Sequence, residues 1–232
     1  MKIRKLLPML LSMILILGMT ACGASGQPKT DSEAKSETVT EKEETEETKA
    51  SAKQAGETED SEIETDNAFV QTENGSDVLV VVFSATGTTK GVAEKIASIE
   101  GADLYEILPV QPYSDDDLNW NDSNSRTTKE QNDSSVRPEI ASETIDMSGY
   151  SKIYVGYPIW WGEEPRIMDT FVESYDFGDK TMIPFCTSGG SGIGRSGKNL
   201  AENAGSGNWL DGERLSGSAS EDELKNWIEG LK

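Results

Sequence analysis

Three short stretches concentrate residues able to handle a ligand. The first is "SATGTT", Ser84 to Thr89, which holds four hydroxyls (Ser84, Thr86, Thr88 and Thr89) around Ala85 and Gly87. It follows the apolar run "VLVVVF" and precedes a pattern of helical period. A strand that turns into a helix leaves unpaired backbone N–H groups at the positive end of the helix dipole, which is a ready anion site. The hydroxyls add neutral donors, and Gly87 permits the tight turn. The second stretch is "YPIWWG", where Pro158, Ile159, Trp160, Trp161 and Gly162 follow another apolar run. Tryptophan at a loop tip exposes costly apolar surface unless it packs on something, so these two rings either cap the core or line a ligand. The third is "CTSGGSG", in which Thr187, Ser188, Gly189 and Gly190 can bring backbone N–H groups close to a bound molecule.

Several chemistries are excluded. The chain has no histidine, which removes Ser-His-Asp and Cys-His catalysis and the commonest metal ligand. No G-x-x-x-x-G-K-[ST] phosphate loop and no G-x-G-x-x-G dinucleotide turn can be drawn through the first stretch. It also lacks the aspartates of a phospho-accepting receiver and the Cys/Arg pair of a phosphatase loop. Many neutral donors with few charges suit a phosphate monoester that is held rather than transferred. The chemistry then belongs to a cofactor.

The elements that must position these loops follow from the pattern. "DVLVVVFS" lacks alternation, as in a central parallel strand covered on both faces. "TKGVAEKIASIEG" reads as a helix with Val92, Ile96 and Ile99 on one face and Gly101 as its stop. "ADLYEILPV" alternates and suits a strand nearer an edge. A polar insert, 109–138, carries a short helical stretch at Thr127 to Asn132. Strand "KIYVGYP", helix "EEPRIMDTFVESYD", strand "KTMIPFCTS", a helix after "GSGIGRSG", a short strand region in "NWLDGERLSG" and a C-terminal helix complete the order. That last helix opens with Ser220 and Glu223 at capping-box spacing. Alternation of this kind predicts an α/β domain with a doubly wound, five-stranded parallel sheet and helices on both faces. Ligands bind such sheets beyond the carboxyl ends of the strands, where all three stretches fall.

The first part of the chain has a different character. Residues 1–21 read as an export signal, with Lys2, Arg4 and Lys5 ahead of an apolar core. "MTAC" resembles the lipobox of bacterial lipoproteins, which makes Cys22 the expected lipidation site, although Met19 is less typical there than Leu. Residues 22–77 then form an acidic tether, with 16 acids and 5 bases from Gln27 to Asp77 and too little apolar surface to fold alone. The folded domain is expected over 78–232, with 26 acids against 13 bases. A net charge of −13 excludes nucleic acid as a partner and favours a protein with a basic face. The one other cysteine, Cys186, lies in an apolar run and reads as a buried small hydrophobe.

The loop "SATGTT" resembles the [ST]-x-T-G-x-T phosphate loop of flavodoxins, and "YSDDDLNW" and "YPIWWG" resemble flavodoxin-like domains of anaerobic Gram-positive and gut bacteria. The resemblance spans 78–232. It implies strand order 2-1-3-4-5 and one non-covalent FMN. The first loop would hold the phosphate, the tryptophans would pack on the isoalloxazine, and residues 187–190 would meet its pyrimidine edge. It also implies a peptide at Gly162 that turns toward flavin N5. Trp120 and Arg126 of the insert are further candidates to reach the flavin or phosphate. The expected function is electron transfer by a monomer lipid-anchored on the outer face of the cell membrane. The alternatives are an FMN-dependent NAD(P)H or quinone oxidoreductase on the same fold, and a flavin-free surface module. Flavodoxins are usually cytoplasmic, so the export signal is a departure.

Overall fold

A computed structural model describes residues 68–73 and 75–231. The expected signal, Cys22 and most of the expected tether lie outside the described residues. No helix among the described residues is long and apolar enough to cross a membrane.

The central strand β2 (Val78–Val82) is buried at every position, which explains its unbroken run of aliphatic side chains. It pairs in parallel with β3 (Asp103–Glu106) on one side and with β4 (Lys152–Pro158) on the other, Leu79 standing opposite both Asp103 and Ile153. Strand β5 (Thr181–Thr187) continues the parallel sheet beyond β4. The fifth position is shared by two short strands, β6 (Asn208–Trp209) and β7 (Glu213–Arg214), each parallel to β5. The parallel part of the sheet therefore has the expected order 2-1-3-4-5.

One strand was not anticipated. Residues assigned to the acidic tether form β1 (Phe69–Val70), antiparallel to β3 at the edge of the sheet. The N–H of Glu106 donates to the carbonyl of Ala68 at 2.6 Å, and Asp103 accepts from the N–H and hydroxyl of Thr72 and from the Tyr150 hydroxyl. Two of the three hydrogen bonds to this buried carboxylate come from Thr72, so residues before 78 take part in the sheet.

Helices cover both faces. On one side α1 (Thr88–Glu100) and α5 (Glu221–Gly230) pack Val92, Ala93, Ile96 and Leu224 onto Val80, Val82, Tyr154 and Phe185. On the other, α3 (Arg166–Glu173) and α4 (Ser196–Ala204) bring Ile167, Phe171, Val172 and Leu200 onto Leu79, Val81, Ile153 and Val155. The remaining helix, α2 (Arg126–Asn132), lies in the insert and starts with Ser125, whose hydroxyl accepts from the Thr128 N–H. Gly101 ends α1 in the left-handed conformation, and Ser220 with Glu223 forms the complete capping box.

Candidate functional site

A cavity of about 630 Å³ opens where β2, β4 and β5 end, and none of its lining residues is charged. All three stretches singled out by sequence meet there.

The loop after β2 forms one end. Gly87 caps α1 with φ 81° and supplies no side chain, and among the described residues no hydrogen bond uses the backbone N–H groups of Ala85 to Lys90. Those donors lie at the positive end of a 13-residue helix. Thr86 and Thr88 line the cavity with their hydroxyl oxygens 3.5 Å apart. Ser84 Oγ is buried without a partner among the described residues. An unpaired buried hydroxyl costs about 1–3 kcal/mol, so this site is built for an added acceptor. Thr89 is placed differently from its neighbours. It is buried and shares a hydrogen bond of 2.9 Å with the Thr187 hydroxyl, which ties the first loop to the third.

The loop after β4 forms the apolar wall. Trp160 and Glu163 exchange both backbone hydrogen bonds at 3.0 Å, closing a hairpin turn around Trp161 and Gly162. Both central residues have positive φ, 50° and 87°, the signature of a type I′ turn. Trp161 is the one non-glycine residue in that region among those described, and it is half exposed at the cavity. Trp160 points back into an edge-to-face cluster with Phe83 and Tyr113, at 5.6 and 5.2 Å between centroids. The two tryptophans thus divide the roles left open by sequence: Trp160 caps the core while bordering the cavity, and Trp161 offers a ring to it. Pro158, Ile159 and Ala85 complete this wall.

At the end of β5 and just past it, Thr187, Ser188 and Gly189 reach the cavity. Ser188 Oγ accepts from the N–H groups of Gly190 and Ser191, so the Gly190 N–H is engaged inside its own loop, and Gly190 lies off the cavity wall. Cys186 just before is fully buried, and burial pushes its thiol up to about 12.

The insert contributes more than its polar sequence promised. Leu118, Thr127 and the exposed Trp120 line the cavity. Arg126 does not. Its guanidinium lies 3.9 Å from the Tyr113 ring centroid and bonds Glu130 at 2.7 Å. A fourth loop adds Gly217, where a Cβ would stand 2.5 Å from Thr88 Cγ2. Leu118, Thr127 and Gly217 were missed. Only the glycine left a mark in the sequence, as the single residue without a side chain between Ser216 and Ser218.

Below the aromatic turn lies a buried ionic cluster. Arg166 is 5 % exposed and stands 3.7 Å from Glu164 and 3.5 Å from Asp169. Burial raises both carboxyls, Glu164 to about 7, despite the Asn199 amide that donates to it.

With this geometry in view, a family model for flavodoxin matches residues 77–231, and the chain belongs to the flavodoxin family. Two solved structures are close in sequence. One is a protein of Bacteroides eggerthii assigned as a flavoprotein, 43 % identical, with 66 % of this chain and 96 % of that one aligned at a TM-score of 0.63. The other, from Bacteroides uniformis and likewise assigned, is 44 % identical over 66 % of this chain and 97 % of its own, also at 0.63. A flavoprotein of Lactobacillus acidophilus, solved in complex with FMN, shares the fold at 22 % identity and a TM-score of 0.50, over 65 % of this chain and 97 % of its own. A comparison with curated proteins found no match.

Proposed function

We propose that this protein binds FMN without a covalent link and carries electrons through it. The observation that carries the reading is the pairing, in one uncharged cavity, of a donor-rich helix start with an apolar slot. Free N–H groups, Ser84, Thr86 and Thr88 fit a phosphate dianion, which neutral donors hold without offering a general acid. Trp161 and Trp120 fit the faces of a flat ring, and Ser188 and Gly189 fit its polar rim. Family membership and a fold neighbour solved with FMN are in keeping with this. When bound, FMN supplies the redox chemistry; the chain binds it, orients it and excludes water from one side. The protein should purify yellow and release FMN on denaturation. A colourless protein that leaves the fluorescence of added FMN unquenched would overturn the assignment.

The partner in this reading is a redox protein with a basic face, drawn by the acidic surface. The place of work is the outer face of the cytoplasmic membrane, with the lipid carried on Cys22. The support is the export signal and the "MTAC" stretch. Cys22→Ala should release the protein from the membrane fraction or halt its maturation, because two acyl chains anchor stably where one does not. Processed Cys22→Ala protein that still sediments with membranes would point to another anchor.

A further inference from the structure

The turn that presents Trp161 is strained and does not hold itself. A bulky residue at φ 50° is an outlier that surrounding contacts must enforce. Two backbone bonds close the turn from within. Further restraint comes from α2. Gln131 Nε2 donates to the carbonyl of Trp160 at 2.9 Å and to that of Glu164 at 3.1 Å. These carbonyls flank the Trp161–Gly162 pair on either side. Gln131 is held in turn, since Arg166 Nη2 donates to its backbone carbonyl at 3.1 Å and to Glu163 Oε2 at 2.7 Å. The amide orientation is fixed by chemistry, because only the nitrogen can face two carbonyls. Gln131 itself does not line the cavity.

We propose that Gln131 is a positioning residue for the flavin: it acts through the Trp160–Glu163 turn, holding the Trp161 ring at the cavity. The insert is then a brace for the ring end of the site. This rests on the FMN reading above.

The test is a double-mutant cycle on FMN affinity, read by quenching of flavin fluorescence. Gln131→Met keeps length and removes the donor. It should weaken FMN binding about fivefold in the otherwise native protein, the size of one to two neutral hydrogen bonds. In a Trp161→Ala background the same change should do nothing further, because the group it positions is gone. The midpoint potential of bound FMN should shift in Gln131→Met and not between Trp161→Ala and the double variant. Gln131→Glu, which sets an acceptor against two carbonyls, should weaken binding more than Gln131→Met and serves if the methionine variant does not fold. Unchanged affinity, or equal losses in both backgrounds, would overturn the inference while leaving FMN binding intact. A native protein that takes no FMN would overturn the cofactor reading, and this inference with it.

Discussion

Thr86 and Thr89 look alike in the sequence, and both were expected to donate to a phosphate. The structure separates them. Both line the cavity, but Thr86 is exposed there, whereas Thr89 is buried and shares a hydrogen bond with the Thr187 hydroxyl. The signal was present: Thr89 stands three, four and seven residues before Val92, Ala93 and Ile96, on the inward stripe of α1. Thr86→Val should therefore weaken FMN about tenfold and leave riboflavin binding unchanged, since it removes one bond to a charged group. Thr89→Val should instead lower the melting temperature and weaken both flavins alike, because it orphans the buried Thr187 hydroxyl. Equal selectivity in the two variants would show that the distinction is wrong. Glu164 gives a second prediction at this scale. Its carboxyl is raised to about 7 from 4.5 by burial, so its contribution to stability is fully present below about pH 4.5 and is lost as pH rises through about 7. Glu164→Gln should flatten that decline and be the more stable form at pH 8, by about 1–3 kcal/mol. Denaturant melts at pH 5 and pH 8 measure it, and a variant less stable than the parent at pH 8 would mean that attraction to Arg166 outweighs desolvation.

Elements with a strong period were legible. β2, β4, β5, α1 and the capping box of α5 stand where aliphatic runs, helical spacing and Ser220 with Glu223 put them. The elements that escaped are short or made by partners. Strand β1 has two residues inside an acid-rich stretch, and it exists because β3 offers an unpaired edge and Asp103 needs donors. The fifth strand splits in two because the chain leaves the ladder between Trp209 and Glu213 and returns to β5 further along. The aromatic turn is a third case: "WWG" announces rings and a glycine, but not that Trp161 takes a left-handed backbone to close a hairpin. That strain predicts a trade. Trp161→Asn suits the conformation and should raise the stability of the flavin-free protein by about 0.5–1 kcal/mol, while weakening FMN through loss of the ring. Thermal melts with and without FMN read both effects, and an apoprotein no more stable than the parent would mean the turn carries no strain.

At the scale of the molecule, the proposed basic partner would approach under the influence of charge. The segment 78–232 carries net −13, and Asp115, Asp116 and Asp122 lie in the stretch that also brings Leu118 and Trp120 to the cavity. Association with a basic reductase should be steered by this field. The rate of anaerobic flavin reduction by such a partner should fall steeply as salt rises from about 0.05 to about 0.5 M, where screening is nearly complete. Rapid reduction by NAD(P)H alone, insensitive to salt, would instead make this protein an oxidoreductase in its own right.

The edge strand has one more consequence. Because β1 runs against β3, its start is level with Glu106, at the carboxyl end of the sheet, and there Ala68 receives the Glu106 N–H. The cavity opens at that same rim. Ala68 therefore stands on the rim that carries the mouth, not at the opposite pole. A molecule that approaches along that rim meets the opening, and one that approaches the amino ends of β2, β4 and β5 meets the closed end of the sheet.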